Sequence, residues 1–341
     1  MIGTSESSGG GITSVIKLMK KMPAWEKYSC YWLATQIHKG IITKVFYAIG
    51  AALKAPFIMW RYDIVHFHMV PGITLLIQLP ELLVAKLYRK KIITEVHVGN
   101  QLEPYATDQF FKWWFKQADL VVLLAKKWEK LFHDSYSDVK TPTDVLYNAC
   151  EMQDPIAFED KKNLIIFAGT IHDNKAPDLL LKAWSRLKDK YPDWKLSFMG
   201  SGNIPFYEKM AEDLGVKDCV EFTGYIEGKE KRDRFHDASI YCMCSYVEGF
   251  PMVVLEAWAH SVSVITTPVG GLPDVIEEGR NCLTFPFGDS ERLSQQLDRL
   301  IGDKELRKEM CSYGHQFAQN HFSVNRINKD LERIYQKVIG K

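Results

Sequence analysis

Several signals that would assign this chain to other classes of protein are missing from its sequence. The formal net charge is only +1, from 43 basic and 42 acidic residues, so the chain lacks the basic excess of nucleic-acid-binding proteins. The seven cysteines form no C-x-x-C pair, and their odd number predicts reduced thiols in a cytosolic protein. The first residues do not resemble a signal peptide, so we expect none.

Long uninterrupted apolar runs are also missing. The most apolar long segment, residues 40–60, has helical apolar spacing but is interrupted by Lys44 and Lys54. The nine uncharged residues between these lysines are fewer than the roughly 20 that cross a bilayer. We therefore predict a helix that does not span a membrane.

The remaining composition is that of an ordinary globular protein, with 46% hydrophobic and 25% charged residues among 341. A chain of this length accommodates two α/β domains. The polar segment 151–162, which contains a proline, predicts a linker between them. Residues 1–150 hold 18 basic and 12 acidic residues, which predicts a basic face on the first domain.

The most informative stretch follows an apolar run at 238–244 that is typical of a buried strand. A turn containing Gly249 and Pro251 then leads into a predicted helix at 252–259. A strand, a glycine-containing turn and a helix N-terminus together favour binding of an anion such as a phosphate.

Two glutamates lie on either side of this turn, Glu248 in the loop and Glu256 just beyond the first turn of the helix. Carboxylates beside a phosphate would repel it unless they bind other groups, and the vicinal hydroxyls of a ribose and a sugar are suitable donors. In the alternative interpretation neither glutamate binds a ligand, and one is simply exposed while the other caps the helix.

The segment E-G-F-P-M-V-V-L-E at 248–256 resembles the Glu-x7-Glu motif of glycosyltransferase family 4 (group 1), which comprises retaining enzymes of the GT-B fold. The similarity continues through A-W-A-H-S-V-S-V-I-T-T-P-V-G-G-L-P-D-V-I and E-E-G-R-N-C-L, and it is specific over 163–322 and weaker before 150. The resemblance implies an α/β GT-B architecture with two Rossmann-like, doubly wound domains facing across a cleft.

The resemblance also implies how the domains divide the work. Residues 1–150 would form the acceptor-side domain, residues 151–322 the nucleotide-sugar-binding domain, and residues 323–341 a final helix that crosses back to the first domain. The implied reaction is metal-independent, retaining transfer of a hexosyl group from a UDP- or GDP-sugar to an acceptor hydroxyl. No cofactor is implied, and the sequence contains no Asp-x-Asp triplet that would suggest a divalent metal.

In the second half, the resemblance assigns roles to individual residues. Glu256 would hold the ribose hydroxyls, and Glu248, with the backbone of Gly249 and Phe250, the donor sugar. Lys175 would neutralise the donor diphosphate. The remaining donor-binding candidates are Thr170, Gly200, Tyr225, Pro251 and Met252.

One of these positions departs from the family pattern, because Thr170 stands where the family has an arginine. That arginine and Lys175 together would stabilise charge on the leaving diphosphate. Losing it costs on the order of one charged hydrogen bond, roughly 1.5–3 kcal/mol. We expect His172 to be a partial substitute.

In the first half, a glycine-rich loop at 5–11 lies between a short predicted strand and a predicted helix. In the family, the corresponding glycines contact the donor diphosphate, which implicates Gly10 and Gly11. His97 ends a predicted strand at 92–98, where the family places a histidine at the reaction centre. His66 and His68 alternate on another predicted strand, and we expect packed side chains there rather than metal ligands.

Two aromatic segments admit two interpretations. Residues 109–116 combine five aromatic residues with two lysines, and residues 126–132 repeat that composition. Such segments either pack into a core or lie at a membrane interface. With the basic first half, they make peripheral contact with an anionic membrane an open hypothesis, on the inner face of the membrane of a cytoplasmic enzyme.

The expected setting is synthesis of a surface polysaccharide or a lipid-linked glycan, with a glycan or lipid-linked acceptor and no nucleic acid. Other classes remain as alternatives. Thr170 and a first strand shorter than the family's would suit an inactive nucleotide- or glycan-binding scaffold. A sugar-nucleotide epimerase of the same fold fits the Glu-x7-Glu spacing less well. A dehydrogenase is disfavoured, because the glycine triplet is not G-x-G-x-x-G.

Overall fold

The structure is a computed structural model that describes residues 1–37 and 39–340. The chain divides into two compact units. Unit 1 comprises Met1–Ala149 and Val324–Lys341, and unit 2 comprises Cys150–Ser323. The boundaries predicted from the sequence, at 150 and 322, differ from these by one residue.

Unit 1 is built on a six-stranded parallel sheet. Its strands are β1 (Ile2–Thr4), β2 (Leu33–Gln36), β3 (Ile64–Met69), β4 (Lys91–Val96), β5 (Leu120–Leu123) and β6 (Thr143–Val145), in the spatial order β2-β1-β3-β4-β5-β6. The central strands are almost entirely buried, because helices cover both faces of a parallel sheet. Strand β2 was not predicted from the sequence, since it is a four-residue edge strand that lacks a long apolar run.

The helices of unit 1 are α1 (Gly11–Met19), α2 (Pro23–Lys27), α3 (Ile41–Met59), α4 (Ile73–Leu87), α5 (Gln109–Gln117), α6 (Lys126–Ser135) and, from the end of the chain, α13 (Val324–Ile339). Helix α13 packs against α1 and α2, and Asn328 accepts a hydrogen bond of 2.8 Å from the backbone N–H of Ala24. The last helix thus belongs to unit 1.

Helices α5 and α6 settle the interpretation of the two aromatic segments. Phe111, Trp114 and Phe115 of α5 are buried, as are Trp128 and Phe132 of α6. The lysines of α5 point outward to Asp138 instead. These five aromatic residues belong to the core, whereas Trp113 of α5 is 38% exposed, so most of the aromatic surface that suggested membrane contact is buried.

Unit 2 contains a second six-stranded parallel sheet. Its strands are β7 (Lys162–Ala168), β8 (Lys195–Met199), β9 (Val220–Gly224), β10 (Ala238–Met243), β11 (Ser263–Thr266) and β12 (Leu283–Thr284), in the order β12-β11-β10-β7-β8-β9. From β7 the chain first builds β8 and β9 on one side and then β10 to β12 on the other. The strand order therefore reverses between β7 and β10.

The helices of unit 2 are α7 (Pro177–Ser185), α8 (Ile204–Asp213), α9 (Gly228–Asp237), α10 (Met252–Ala259), α11 (Ser290–Gly302) and α12 (Lys304–His321). The predicted helix 252–259 is reproduced residue for residue in α10. Helix α8 and strand β12 were not predicted. All seven cysteines are free, including the buried Cys242 on β10 and Cys244 directly after it, as their odd number suggests.

Candidate functional site

The loops that follow β7 and β10 meet at the carboxyl edge of the second sheet. The backbone N–H of Tyr246 donates to the carbonyl of Asn174 at 2.8 Å and joins the two loops. They lie where the strand order reverses, which is where open α/β sheets bind their ligands. This edge of unit 2 is therefore the candidate site.

An ion pair between Lys175 and Glu248 occupies this position. The Lys175 ammonium lies on Oε1 of Glu248, and the Ser245 hydroxyl donates to the same oxygen at 2.7 Å. The two charged side chains are 24% and 15% exposed, so the pair is mostly withdrawn from water but still reachable. The structure thus brings together a cation and a carboxylate that the sequence analysis singled out separately.

The loop that carries Glu248 is held in place by the neighbouring loop after β11. Gly270 has a φ of +65°, and a Cβ there would lie 2.7 Å from the carbonyl oxygen of Gly249. Gly271 donates its N–H to that same carbonyl at 2.8 Å. A side chain at Gly270 would push the Glu248 loop away, so the Gly-Gly pair fixes the carboxylate through the backbone.

A second glycine contact shapes the loop after β7. A Cβ at Gly200 would lie 1.8 Å from the carbonyl oxygen of Gly169, so only glycine allows the loop after β8 to approach so closely. Thr170, the next residue, is exposed. The ring Nδ1 of His172 accepts a hydrogen bond of 3.1 Å from the N–H of Asn174, so this nitrogen is engaged with the backbone of its own loop.

Helix α10 carries the second glutamate. Glu256 forms an ion pair with Lys231 of α9, with 2.7 Å between Nζ and Oε2, and both side chains are about one-third exposed. Lys231 was not identified from the sequence, where it is one of several charged residues on α9. Pro251 precedes the helix as its N-cap, and Met252 is the first helical residue.

Two predicted donor-binding residues have different surroundings. The Phe250 side chain is only 4% exposed and its ring lies 5.8 Å from that of Phe322, so it supports the turn from inside rather than facing a ligand. Tyr225 follows the edge strand β9, is 67% exposed, and donates to Glu227 at 2.8 Å. That hydrogen bond raises the pKa of the Tyr225 phenol, and the ring itself remains accessible for stacking.

Unit 1 has its own cluster of polar residues, at the ends of β3 and β4. Nε2 of the buried His97 lies 3.0 Å from Nδ1 of His68 and 3.3 Å from the Glu95 carboxylate. Burial lowers the pKa of His97 and holds that of His68 well below its ordinary value. Both imidazoles are therefore neutral at physiological pH.

The same cluster includes His66, whose ring stacks on that of His68 at 4.5 Å and lies 3.0 Å from Glu95. Its other ring nitrogen lies 3.2 Å from the hydroxyl of Tyr335. The donor atoms of His66, His68 and Glu95 are all within 4.8 Å of one another, so this set could hold a metal ion. Without one, both carboxylate oxygens of Glu95 and Nε2 of His66 are buried without a hydrogen bond, and His97 is held by its contact with His68.

The glycine-rich loop of unit 1 has the predicted strand–loop–helix arrangement. Gly10 is the N-cap of α1 and adopts a φ of +108°, a conformation that favours glycine. No atom lies within 4 Å of where a Cβ at Gly11 would be, so its surroundings are open. A ligand could therefore approach the backbone at these two residues.

A cavity of about 830 Å³ in unit 1 lies at the amino edge of the first sheet. Its lining includes Met1, Leu33 and Ile64, which stand at the amino ends of β1, β2 and β3. Parallel sheets bind ligands at the opposite, carboxyl edge. The cavity is therefore not part of the candidate site, despite its size.

Comparison with known proteins finds similarity to glycosyltransferases. A family model for glycosyl transferases group 1 matches residues 150–317. A Campylobacter jejuni α-1,4-N-acetyl-D-galactosaminyltransferase, whose name includes an undecaprenol-linked glycan, is 28% identical over 57% of this chain and 54% of its own length. A D-inositol 3-phosphate glycosyltransferase of Corynebacterium jeikeium is 28% identical over 52% of this chain and 44% of its own. The chain thus spans about half the length of the curated relatives it matches.

Solved structures resemble the whole chain. Anabaena HepE in complex with UDP superimposes with a TM-score of 0.75 at 15% identity, covering 98% of both chains. Sucrose-phosphate synthase from Thermosynechococcus elongatus gives a TM-score of 0.76 at 15% identity, covering 99% of this chain and 98% of the other. With its two parallel six-stranded sheets, the chain has the GT-B fold expected from the sequence.

Proposed function

We propose that the protein, whose residues 150–317 match the family model for glycosyl transferases group 1, is a retaining glycosyltransferase that moves a hexosyl group from a nucleotide-sugar to an acceptor hydroxyl. The observation that carries this proposal is the Lys175–Glu248 ion pair at the strand-order reversal of unit 2. A cation suited to a diphosphate lies there beside a carboxylate suited to sugar hydroxyls, which supports the proposal.

Within this proposal, Lys175 is the cation that meets the diphosphate as charge develops on it. Release of Glu248 from the ion pair leaves its carboxylate free to accept hydrogen bonds from the donor sugar. The backbone of Gly249 and Phe250 supports the same sugar, and the turn at Pro251 and Met252 brings the α10 N-terminus near the phosphates.

Glu256 would hold the ribose hydroxyls. Its present partner is Lys231, so ribose binding either displaces that lysine or uses the second carboxylate oxygen. If displaced, the ammonium becomes available to a phosphate, which would compensate in part for Thr170. The exposed ring of Tyr225 is the candidate for stacking on the base, and Gly200 lets the loop after β8 approach the nucleotide.

The unit 1 residues would serve the diphosphate and the reaction centre. The open backbone at Gly10 and Gly11 suits a phosphate, and His97 would lie at the donor sugar. Since burial keeps His97 neutral, it would act as a hydrogen-bonding group rather than as a cation. The departing phosphate would take the acceptor proton, so the reaction needs neither a metal nor a cofactor.

The substrates follow by analogy. The solved relative HepE contains UDP, which favours a UDP-sugar over a GDP-sugar. The Campylobacter relative acts, by its name, on an undecaprenol-linked glycan, which supports a lipid-linked acceptor in glycan or surface polysaccharide synthesis. A cytoplasmic enzyme at the inner face of a membrane would meet both substrates.

One observation favours a second candidate, a nucleotide-binding scaffold with little or no turnover. Thr170 is exposed and uncharged at the position of the second diphosphate cation. Incubating the protein with UDP-hexoses and a lipid-linked glycan acceptor distinguishes the two. A glycosylated product that disappears with Lys175→Ala supports the enzyme, whereas UDP binding without product supports the scaffold.

A further inference from the structure

Helices α3 and α4 expose an unusual amount of apolar surface. Among the described residues, these helices and the adjoining Trp60 supply 12 of the 19 large hydrophobic side chains that are exposed. The most exposed include Ile41 at 80%, Leu87 at 77% and Phe57 at 76%. Soluble proteins scatter such residues singly, and a contiguous set marks an interaction surface.

The exposed residues of α3 lie along one helical face. Their spacing of three or four residues keeps them within one stripe, as side chains at i, i+3, i+4 and i+7 are neighbours. The members of this stripe are Ile42, Phe46, Ile49, Leu53, Phe57 and Trp60. Helix α4 repeats the pattern with Ile73, Leu76, Leu83 and Leu87. We call these two stripes the apolar face of unit 1.

The opposite side of α3 is packed against the protein. Ala51, Ala55 and Met59 are buried where the helix contacts β2 and α4. Among the described residues, α3 is the one helix long and apolar enough to cross a membrane by length and composition, in spite of its two lysines. Its packing along the sheet of unit 1 favours a helix that lies in the membrane surface with one side in lipid.

The charges near the apolar face are mostly basic, although the exposed Asp63 follows Trp60 by three residues. Residues 27–62 contain five basic residues and no acidic one. On α4, the acidic residue Glu81 is buried, whereas Lys86 and Arg89 are exposed. Trp60 ends the stripe beside Arg61, whose guanidinium lies 5.4 Å from the indole ring. An apolar face with an amphipathic tryptophan and predominantly basic neighbours is complementary to an anionic lipid bilayer.

We propose that the apolar face of unit 1, formed by α3 and α4, inserts into the interfacial region of an anionic membrane. We therefore assign membrane binding to this face rather than to the segments at 109–116 and 126–132, whose buried aromatic residues belong to the core. The inference does not depend on catalysis, because it rests on exposure and charge at residues outside the candidate donor site.

Flotation of the purified protein with vesicles tests this proposal. We expect wild-type protein to float with vesicles of phosphatidylcholine and phosphatidylglycerol, and much less with phosphatidylcholine alone. The double variant Leu53→Glu/Phe57→Glu should bind at least about tenfold more weakly, since apolar burial drives insertion. Phe206→Glu is the matched control, because Phe206 is 52% exposed on α8 of unit 2, and it should float like the wild type.

Two further variants sharpen the result. Lys44→Gln and Lys54→Gln should each weaken binding to anionic vesicles by about fivefold, the effect of one basic residue near such a surface. Glu256→Ala, altered only at the donor site, should float normally even if it is inactive, so failure of the proposed function leaves this test intact.

Depth of insertion gives a second readout. Lipids brominated on the acyl chains should quench part of the tryptophan fluorescence of the wild type, and Trp60→Phe should lose that quenching. No flotation of folded wild type on anionic vesicles would overturn the proposal. So would a dimer in solution that Leu53→Glu/Phe57→Glu dissociates without any change in flotation, because the face would then bind a second copy of the chain.

Discussion

Lys175 and Glu248 form an ion pair although 73 positions separate them in the sequence. The loop after β7 carries the lysine and the loop after β10 the glutamate, and these neighbouring strands stand where the strand order reverses. In the proposed enzyme, donor binding exchanges this internal pairing for contacts with the diphosphate and the sugar.

Removing either partner should therefore impair turnover. Lys175→Ala and Glu248→Gln should each lower kcat about 10²–10³-fold, the range for losing one preorganised electrostatic contact. Steady-state kinetics with the preferred UDP-sugar measures this. Lys182→Ala is the matched control, because Lys182 forms a comparable but more exposed ion pair with Asp178, and it should retain wild-type kinetics. Equal losses in Lys175→Ala and Lys182→Ala would contradict the assigned role.

A substitution at Thr170 should increase turnover instead of lowering it. Thr170→Arg should raise kcat/KM by about tenfold, because it places a cation beside the leaving diphosphate, where one charged hydrogen bond is worth roughly 1.5–3 kcal/mol. Thr170→Gln, similar in length but uncharged, serves as the control. If both variants behave like the wild type, the loop after β7 does not contact the diphosphate.

Glu81 should make stability depend on pH. Burial raises the pKa of Glu81 to about 7 from 4.5. As pH rises, the Glu81 carboxyl loses its proton in the unfolded chain before it does so in the folded protein. The free energy of unfolding is therefore highest below about pH 4.5, falls between about pH 4.5 and about pH 7, and is constant above that. Glu81→Gln should therefore gain on the order of 1–3 kcal/mol over the wild type at pH 8. Urea unfolding at pH 8 and pH 4.5 checks this, and an equal gain at both values would refute the burial argument.

The histidine cluster in unit 1 provides a test of metal independence. The sequence predicts packed histidines here, and burial lowers the pKa of both His68 and His97 beside the buried Glu95. We expect elemental analysis of purified protein to find far less than one metal per chain, and treatment with EDTA to leave turnover unchanged. Stoichiometric zinc that is lost in Glu95→Gln would show instead that His66, His68 and Glu95 form a metal site.

Much of the fold followed from local patterns, because buried parallel strands are continuous apolar runs that stand out in a sequence. Helix α10 was predicted closely because a turn with glycine and proline marks its start, and the last helix because the family resemblance implies it. Strand β2 and helix α8 were missed, since a short edge strand and a weakly apolar helix carry little signal of their own.

The candidate site was predicted less completely. The residues of the Glu-x7-Glu motif and Lys175 were found from the sequence, but the partners Lys231 and Ser245 were not, because they are unremarkable outside their tertiary context. The aromatic segments show the reverse problem. A helix such as α5 buries its aromatic face and exposes its lysines, so composition alone cannot distinguish it from a membrane-binding helix.

The most direct test of the central claim is a thermal-shift measurement with UDP, GDP and their hexose conjugates. A ligand at a concentration of about 100 times its dissociation constant stabilises the native state by roughly 2.7 kcal/mol. This raises the melting temperature of a protein of this size by a few degrees. We predict a clear shift with UDP or a UDP-sugar that is abolished in both Lys175→Ala and Glu256→Ala. No shift with any nucleotide, or a shift that persists in both variants, would contradict the placement of the donor at the carboxyl edge of the second sheet.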